Sequence, residues 1–237
     1  MKIDIKNLIK KYDNEVVLND ISLQLNDVEA VAILGISGSG KSTLLRLMSG
    51  IETFDSGEIV IDDHDIYSRE YKDKIGFVFQ SDSLFPHLTV LDNIVLILDK
   101  VKGLDKKVAT IKTKELLEQF GLSEHIDKYP HQLSGGQKQR VSIVRSLAVE
   151  ASLFFFDEPT SALDPILTVE VLEMIHKLRN LDKKFFIVTH EVGFAKNVAD
   201  YIIFIDDGKI VEHGPVGILD NPQTAPFKNF LSKIFTW

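Results

Sequence analysis

None of the 237 residues is cysteine, so disulfides and thiolate metal sites are excluded. Long apolar runs are also missing. The longest unbroken ones, at 30–34, 94–98 and 201–205, have five residues each, whereas a membrane-spanning helix needs about 20. Positive charge is in deficit, with 27 Lys and Arg against 35 Asp and Glu and a formal net charge of −8. Such a surface repels polyanions on average and argues against a nucleic-acid partner. The opening Met1-Lys2-Ile3-Asp4-Ile5-Lys6 alternates charged and apolar residues and lacks the apolar core of a signal peptide. The expectation is a soluble, acidic, cytoplasmic chain that cannot cross a membrane by itself. At roughly 150 residues per domain, the length suits one large domain or two small ones.

Neither a repeat nor a Pro/Gly/Ser-rich linker divides the chain. Residues 2–9 alternate with period two, 16–25 form a second such run, and Ala30-Val31-Ala32-Ile33-Leu34 is apolar throughout, as in a strand buried on both faces. Further strands are expected at 58–61, 74–79, 153–156, 185–188, 201–205 and 209–211. Helical spacing marks Leu44, Leu45, Leu47 and Met48, the stretches 111–120 and 167–178, and Val141, Val144, Leu147 and Ala148. Strand–helix alternation implies a largely parallel α/β sheet. The helical middle, about 81–150, reads as an insertion between 1–80 and 151–237, giving two lobes within one folded unit spanning residues 1–237.

Gly35-Ile36-Ser37-Gly38-Ser39-Gly40-Lys41-Ser42-Thr43 fits the phosphate-loop pattern G-x-x-x-x-G-K-[ST], which arises by chance about once in 10⁴–10⁵ positions. It lies between a buried-type strand and a helix, as the chemistry requires. Glycines let the backbone wrap so that successive N–H groups face phosphate oxygens, and the helix N-terminus adds its dipole. Lys41 would reach the β- and γ-phosphates, and Ser42 would offer its hydroxyl to Mg²⁺. The pattern predicts that the chain binds a nucleoside triphosphate.

Leu153-Phe154-Phe155-Phe156-Asp157-Glu158 is an apolar strand ending in two carboxylates, and ligand sites of parallel sheets lie at such carboxyl ends. Asp157 suits Mg²⁺ coordination, while Glu158 is placed to polarise a water. His190 follows the strand Phe185-Phe186-Ile187-Val188, where it is able to hydrogen-bond a γ-phosphate or that water. Gln80, after Ile75-Gly76-Phe77-Val78-Phe79, offers a neutral amide to water or Mg²⁺. Ser134-Gly135-Gly136-Gln137 opens a helix and is a second candidate anion site. One phosphate loop with two phosphate-type helix starts fits a head-to-tail pair, each chain closing the other's nucleotide.

These motifs, together with Ser161-Ala162-Leu163-Asp164, stand in the order and approximate spacing of the ATP-binding subunits of ABC transporters, and the resemblance covers essentially the whole chain. It implies a P-loop NTPase core with a mostly parallel sheet, an N-terminal antiparallel β subdomain and an inserted α-helical subdomain. It implies that Tyr12 stacks on adenine. Residues Gly35, Ser37, Gly38, Ser39, Gly40, Lys41, Ser42 and Thr43 hold the phosphates, and Ser42, Gln80 and Asp157 surround Mg²⁺. Glu158 becomes the catalytic base and His190 the residue that positions the γ-phosphate. Ser134, Gly136 and Gln137 hold the ATP of a partner copy, with Asp164 assisting. The implied partners are a second copy, transmembrane permease subunits and a substrate-binding protein, with the chain peripheral on the inner membrane face and Ser81 to Pro86 as its docking surface. Departures are mild: Ile36 where relatives often carry Pro, and Ser142, Val144 and Ser146 where Ala is usual.

Within the family, residues 84–93, Thr160 to Pro165, 189–195 and the ending Asn221-Pro222-Gln223 with Phe230-Leu231-Ser232 resemble importers of polar amino acids. The Gly193-Phe194-Ala195 step is the most telling. Import of another small solute, a non-transport ABC ATPase of cell division or lipoprotein release, and a nucleotide-sensing scaffold remain open at this point. Asp62, Asp63 and Asp65 imitate a calcium loop but lack its Gly and Glu, so a hairpin turn is expected. His125 and His131 lack a ligand-spaced partner set, and the lysines from 100 to 114 read as a solvated helical face.

Overall fold

The computed structural model of the chain describes residues 1–235 except 14, 82, 162, 180 and 182. Among the described residues there are ten strands and eight α-helices. The strands β1 (Ile3–Tyr12), β2 (Glu15–Leu25), β4 (Ser56–Ile61) and β5 (His64–Asp65) form an antiparallel sheet in the order β2-β1-β4-β5. Its apolar residues Ile3, Ile5, Leu8, Leu18, Ile21 and Leu23 all face inward, with irregularities in the β1–β2 register taking up the three-residue steps from Ile5 to Leu8 and from Leu18 to Ile21. The β4–β5 turn is Asp62-Asp63, both left-handed with φ of 48° and 62°, as a two-residue hairpin loop requires. Asp62 is also structural in its own right, accepting from the Lys2 backbone N–H at 2.7 Å and from Lys184 Nζ at 3.1 Å. The acidic trio is therefore a hairpin turn, as its missing Gly and Glu led one to expect.

The strands β3 (Ala30–Leu34), β6 (Ile75–Val78), β7 (Leu153–Asp157), β8 (Lys184–Val188), β9 (Tyr201–Asp206) and β10 (Lys209–Pro215) form a second sheet in the order β10-β9-β3-β8-β7-β6. It is parallel except for the edge strand β10. Its continuously apolar strands serve two cores at once, because successive side chains point to opposite faces. Ala30, Ala32, Leu34, Phe154, Phe156, Phe185 and Ile187 pack beneath the helices. Val31, Ile33, Phe155, Phe186 and Val188 pack toward the antiparallel sheet and α1 (Lys41–Met48). The result is helices, parallel sheet, then α1 with the antiparallel sheet, three layers in which the parallel sheet is covered on both sides.

Between β6 and β7 the chain forms α3 (Val90–Lys102), α4 (Lys106–Gln119) and α5 (Gly135–Ala148), which pack on one another. Besides the short α2 (Arg69–Lys72), the remaining helices are α6 (Pro165–Arg179), α7 (Val192–Val198) and α8 (Ala225–Phe235). Helix α3 contains the five-residue apolar run 94–98, which periodicity alone does not separate from a buried strand. Its ends carry the missing signal: Thr89 accepts the Asp92 N–H at 3.1 Å as an N-cap, and Gly103 ends the helix in the left-handed region. No helix among the described residues is long and apolar enough to cross a membrane.

Candidate nucleotide site

The strand order sets the chemistry in place. Strands β3, β8, β7 and β6 are neighbours in the parallel sheet, paired at Ile33–Val188, Asp157–Val188 and Val78–Phe156. Their carboxyl ends deliver the phosphate loop, His190, Asp157 with Glu158, and Gln80 to one edge of the sheet.

In the loop, Gly40 has a φ of 98° and caps α1. A Cβ there would lie 2.6 Å from Leu18 Cδ2 and 3.0 Å from the Val17 carbonyl oxygen. We expect Gly40→Ala to weaken ATP binding at least tenfold, and the strain and overpacking to remove about 1–3 kcal/mol of stability. Nucleotide titration and urea unfolding measure the two. Lys41 is only 3% exposed, and its Nζ donates to the Ile36 carbonyl at 2.8 Å, with Glu158 Oε1 4.0 Å away. Burial pushes its pKa below the ordinary lysine value, although the Glu158 and Asp157 carboxylates act in the opposite direction. The Ser39 hydroxyl is buried beside Gly35 without a hydrogen-bond partner among the described residues, and Ser39 is not one of the walls of the cavity above the loop.

Asp157, the last residue of β7, is fully buried. Its Oδ1 accepts from Ser42 Oγ at 2.5 Å and its Oδ2 from Arg46 at 3.0 Å. Ser42 and Arg46 are four residues apart on α1 and so share one face of it. Glu158 follows in a left-handed conformation with φ of 44°, its N–H bonded to the Val188 carbonyl at 3.0 Å. Its Oε1 lies 2.9 Å from His190 Nε2, and its Oε2 accepts from Gln80 Nε2 at 3.2 Å. Gln80 Nε2 also donates to Ser161 Oγ at 3.1 Å. Carboxylate, hydroxyl and amide oxygens are the donors a hard divalent cation takes, and Asp157, Ser42 and Gln80 provide one of each. A buried carboxylate beside a serine hydroxyl fits such an ion.

Above the loop lies a cavity of about 440 Å³ walled by Tyr12, Val17, Ser37, Gly38, Gly40, Lys41, Ser42, Thr43, Gln80 and Glu158, a volume suited to a small-molecule ligand. Tyr12 is 41% exposed at its rim, with Lys10 Nζ 4.7 Å from its ring centroid and its hydroxyl donating to Glu52. Burial, then the Glu52 contact, raises the Tyr12 pKa, so the phenol stays protonated. Of the sequence candidates, Gly35 sits beneath the cavity, where a Cβ would meet the Ile205 carbonyl at 2.2 Å.

Ser134, Gly136, Gln137 and Asp164 are not among these walls. Ser134 and Gln137 cap α5 reciprocally, the Gln137 N–H to Ser134 Oγ at 3.2 Å and the Ser134 N–H to Gln137 Oε1 at 3.0 Å. Gly136 lies against Leu167, whose Cβ would be 2.8 Å from an added methyl. Asp164 Oδ1 accepts the N–H groups of Ile166 and Leu167 at 3.0 Å each, starting α6. Position 162 of the Ser161–Asp164 motif and position 82 of the expected docking segment lie outside the described residues. Sequence reasoning missed Arg46 and gave Ser161 no role. The i, i+4 spacing from Ser42 was the signal for Arg46.

Fold and site together define a P-loop nucleoside triphosphatase. A sequence model of the ABC transporter family matches residues 18–161. The chain is 44% identical, over 98% of its own length and 99% of the relative's, to the glutamate/aspartate import ATP-binding protein GltL of Escherichia coli (strain K12). Identity and coverage are the same for the arginine transport ATP-binding protein ArtM of Bacillus subtilis (strain 168). A solved dimeric ATP-binding cassette in a post-hydrolysis state bound to ADP and Pi superposes with a TM-score of 0.80 at 32% identity, covering 90% of this chain and 98% of that one. The chain belongs to the ABC transporter family, as an ATPase subunit.

Proposed function

We propose that the chain powers an importer of polar amino acids, binding ATP with Mg²⁺ over the phosphate loop and hydrolysing it with Glu158 as base. The observation that carries this reading is the convergence of Lys41, Ser42, Gln80, Asp157, Glu158 and His190 at one edge of the parallel sheet. The amino-acid assignment rests on relatives whose names specify import or transport of glutamate, aspartate, glutamine and arginine. In this reading Ser42, Gln80 and Asp157 hold Mg²⁺, His190 positions the γ-phosphate, and Tyr12 stacks on adenine.

Ser134, Gly136, Gln137 and Asp164 lie outside the loop cavity, in keeping with their serving the ATP of a second copy in a head-to-tail dimer. Residues 1–237 make one ATPase unit, with 81–150 as its helical subdomain. The unit sits at the inner face of the membrane against permease subunits, which work with a substrate-binding protein. The decisive experiment is reconstitution of the chain with the membrane proteins that co-purify with it. Uptake of a labelled amino acid that requires ATP and binding protein supports the reading. ATP hydrolysis without uptake of any amino acid overturns the substrate assignment.

A further inference from the structure

Asp157 presents a problem of charge. It is fully buried, and both of its oxygens are engaged. A buried carboxylate with no counter-charge is strongly disfavoured, and Ser42 supplies a hydroxyl but no charge. Lys41, the other nearby cation, directs its Nζ to the Ile36 carbonyl and lies 4.0 Å from Glu158. The cation in direct contact with Asp157 is Arg46, 3.0 Å from Oδ2, while Lys41 adds a longer-range attraction. Arg46 is not enclosed: its side chain is 38% exposed and lines a separate cavity of about 350 Å³ with Phe79, Gln80, Ser81 and Ser161. The guanidinium therefore has somewhere to go.

We infer that Arg46 is a positioning residue that competes with the metal: its guanidinium neutralises Asp157 and yields toward the Gln80–Ser161 cavity when a divalent cation takes the carboxylate. The inference rests on the reading of Asp157 as a metal ligand. A guanidinium and a divalent cation within a few ångströms of one carboxylate repel each other, so Arg46 competes with the metal while stabilising the protein that lacks it. The α1 helix thus carries both partners of Asp157 one turn apart: Ser42, which stays with the metal, and Arg46, which withdraws from it.

The test compares wild type with Arg46→Met, which keeps length and apolar stem but removes charge, and with Arg46→Lys. Mn²⁺ serves as a paramagnetic probe, titrated in the presence of a non-hydrolysable ATP analogue and followed by electron paramagnetic resonance. Arg46→Met is expected to lower the half-saturating Mn²⁺ concentration roughly tenfold, the effect of deleting one nearby positive charge. It should also lower the Tm of the metal- and nucleotide-free protein by about 3–6 °C. Arg46→Lys should stay near wild type in both. An unchanged or raised half-saturating concentration in Arg46→Met overturns the inference, as does a lysine variant that behaves like the methionine one. Wild type that binds the analogue without taking up Mn²⁺ would instead refute Asp157 as a metal ligand.

Discussion

A Glu158→Gln protein is expected to bind ATP about as tightly as the wild type and to hydrolyse it 10²–10⁴ times more slowly, the usual contribution of a positioned general base. The substitution is chosen for what it leaves intact. Glutamine keeps an acceptor oxygen for the Gln80 amide, and its amide nitrogen donates to His190 Nε2 in the Nδ1–H tautomer, so both neighbours keep a partner although the bond to His190 reverses direction. The contact network that shapes the cavity therefore remains, while the side chain loses its ability to take a proton. Equilibrium binding of a fluorescent ATP analogue and single-turnover hydrolysis separate the two effects. Hydrolysis at the wild-type rate would remove Glu158 from the chemistry, and a matching loss of binding would make its role structural.

Replacing Lys41 by methionine should lower ATP affinity about 100-fold or more, because a desolvated charge-assisted contact to phosphate is lost. The same change is expected to stabilise the empty protein. Burial holds the Lys41 pKa below its ordinary value of 10.5 in the folded state. At neutral pH the fold therefore carries the penalty of a charged, buried ammonium, and this penalty fades as pH rises through the folded-state value toward 10.5. The Tm of Lys41→Met should exceed that of wild type at pH 7. The gap should narrow as pH approaches 10. A variant less stable than wild type at pH 7 would show that the Ile36 contact outweighs the burial penalty. Stability given up at a binding residue is a common feature of ligand sites.

Much of this arrangement was legible in the sequence because its signals are local. A phosphate loop needs its glycines in contiguous positions, and a strand end marks itself where an apolar run meets Asp157 and Glu158. The three-layer packing was less visible. Phe154, Phe155 and Phe156 read alike along the chain, yet the pleat sends Phe155 to one core and its two neighbours to the other. Helix α3 was hidden by its central run of contiguous apolar residues, since Leu96 and Ile97 are partly exposed on the side away from Ile94, Val95 and Leu98. Helix α8 had its signal in the three- and four-residue spacing of Phe227, Phe230 and Leu231, which bury against the core. Arg46 escaped notice for a different reason. Its partner lies 111 positions away, and only the folded sheet brings α1 and the end of β7 together. Ser134 and Gln137 are named by sequence pattern, but within one chain each side chain accepts the other residue's backbone N–H.

The attachment of Glu158 has a consequence for its orientation. One of its oxygens is tied to Gln80, which leads into the chain before α3, and the other to His190, which leads into α7. Drawing away either neighbour alone leaves the acid tethered by the other. Its orientation is thus set from two sides of the sheet edge, so the rotamer of this carboxylate is fixed twice over.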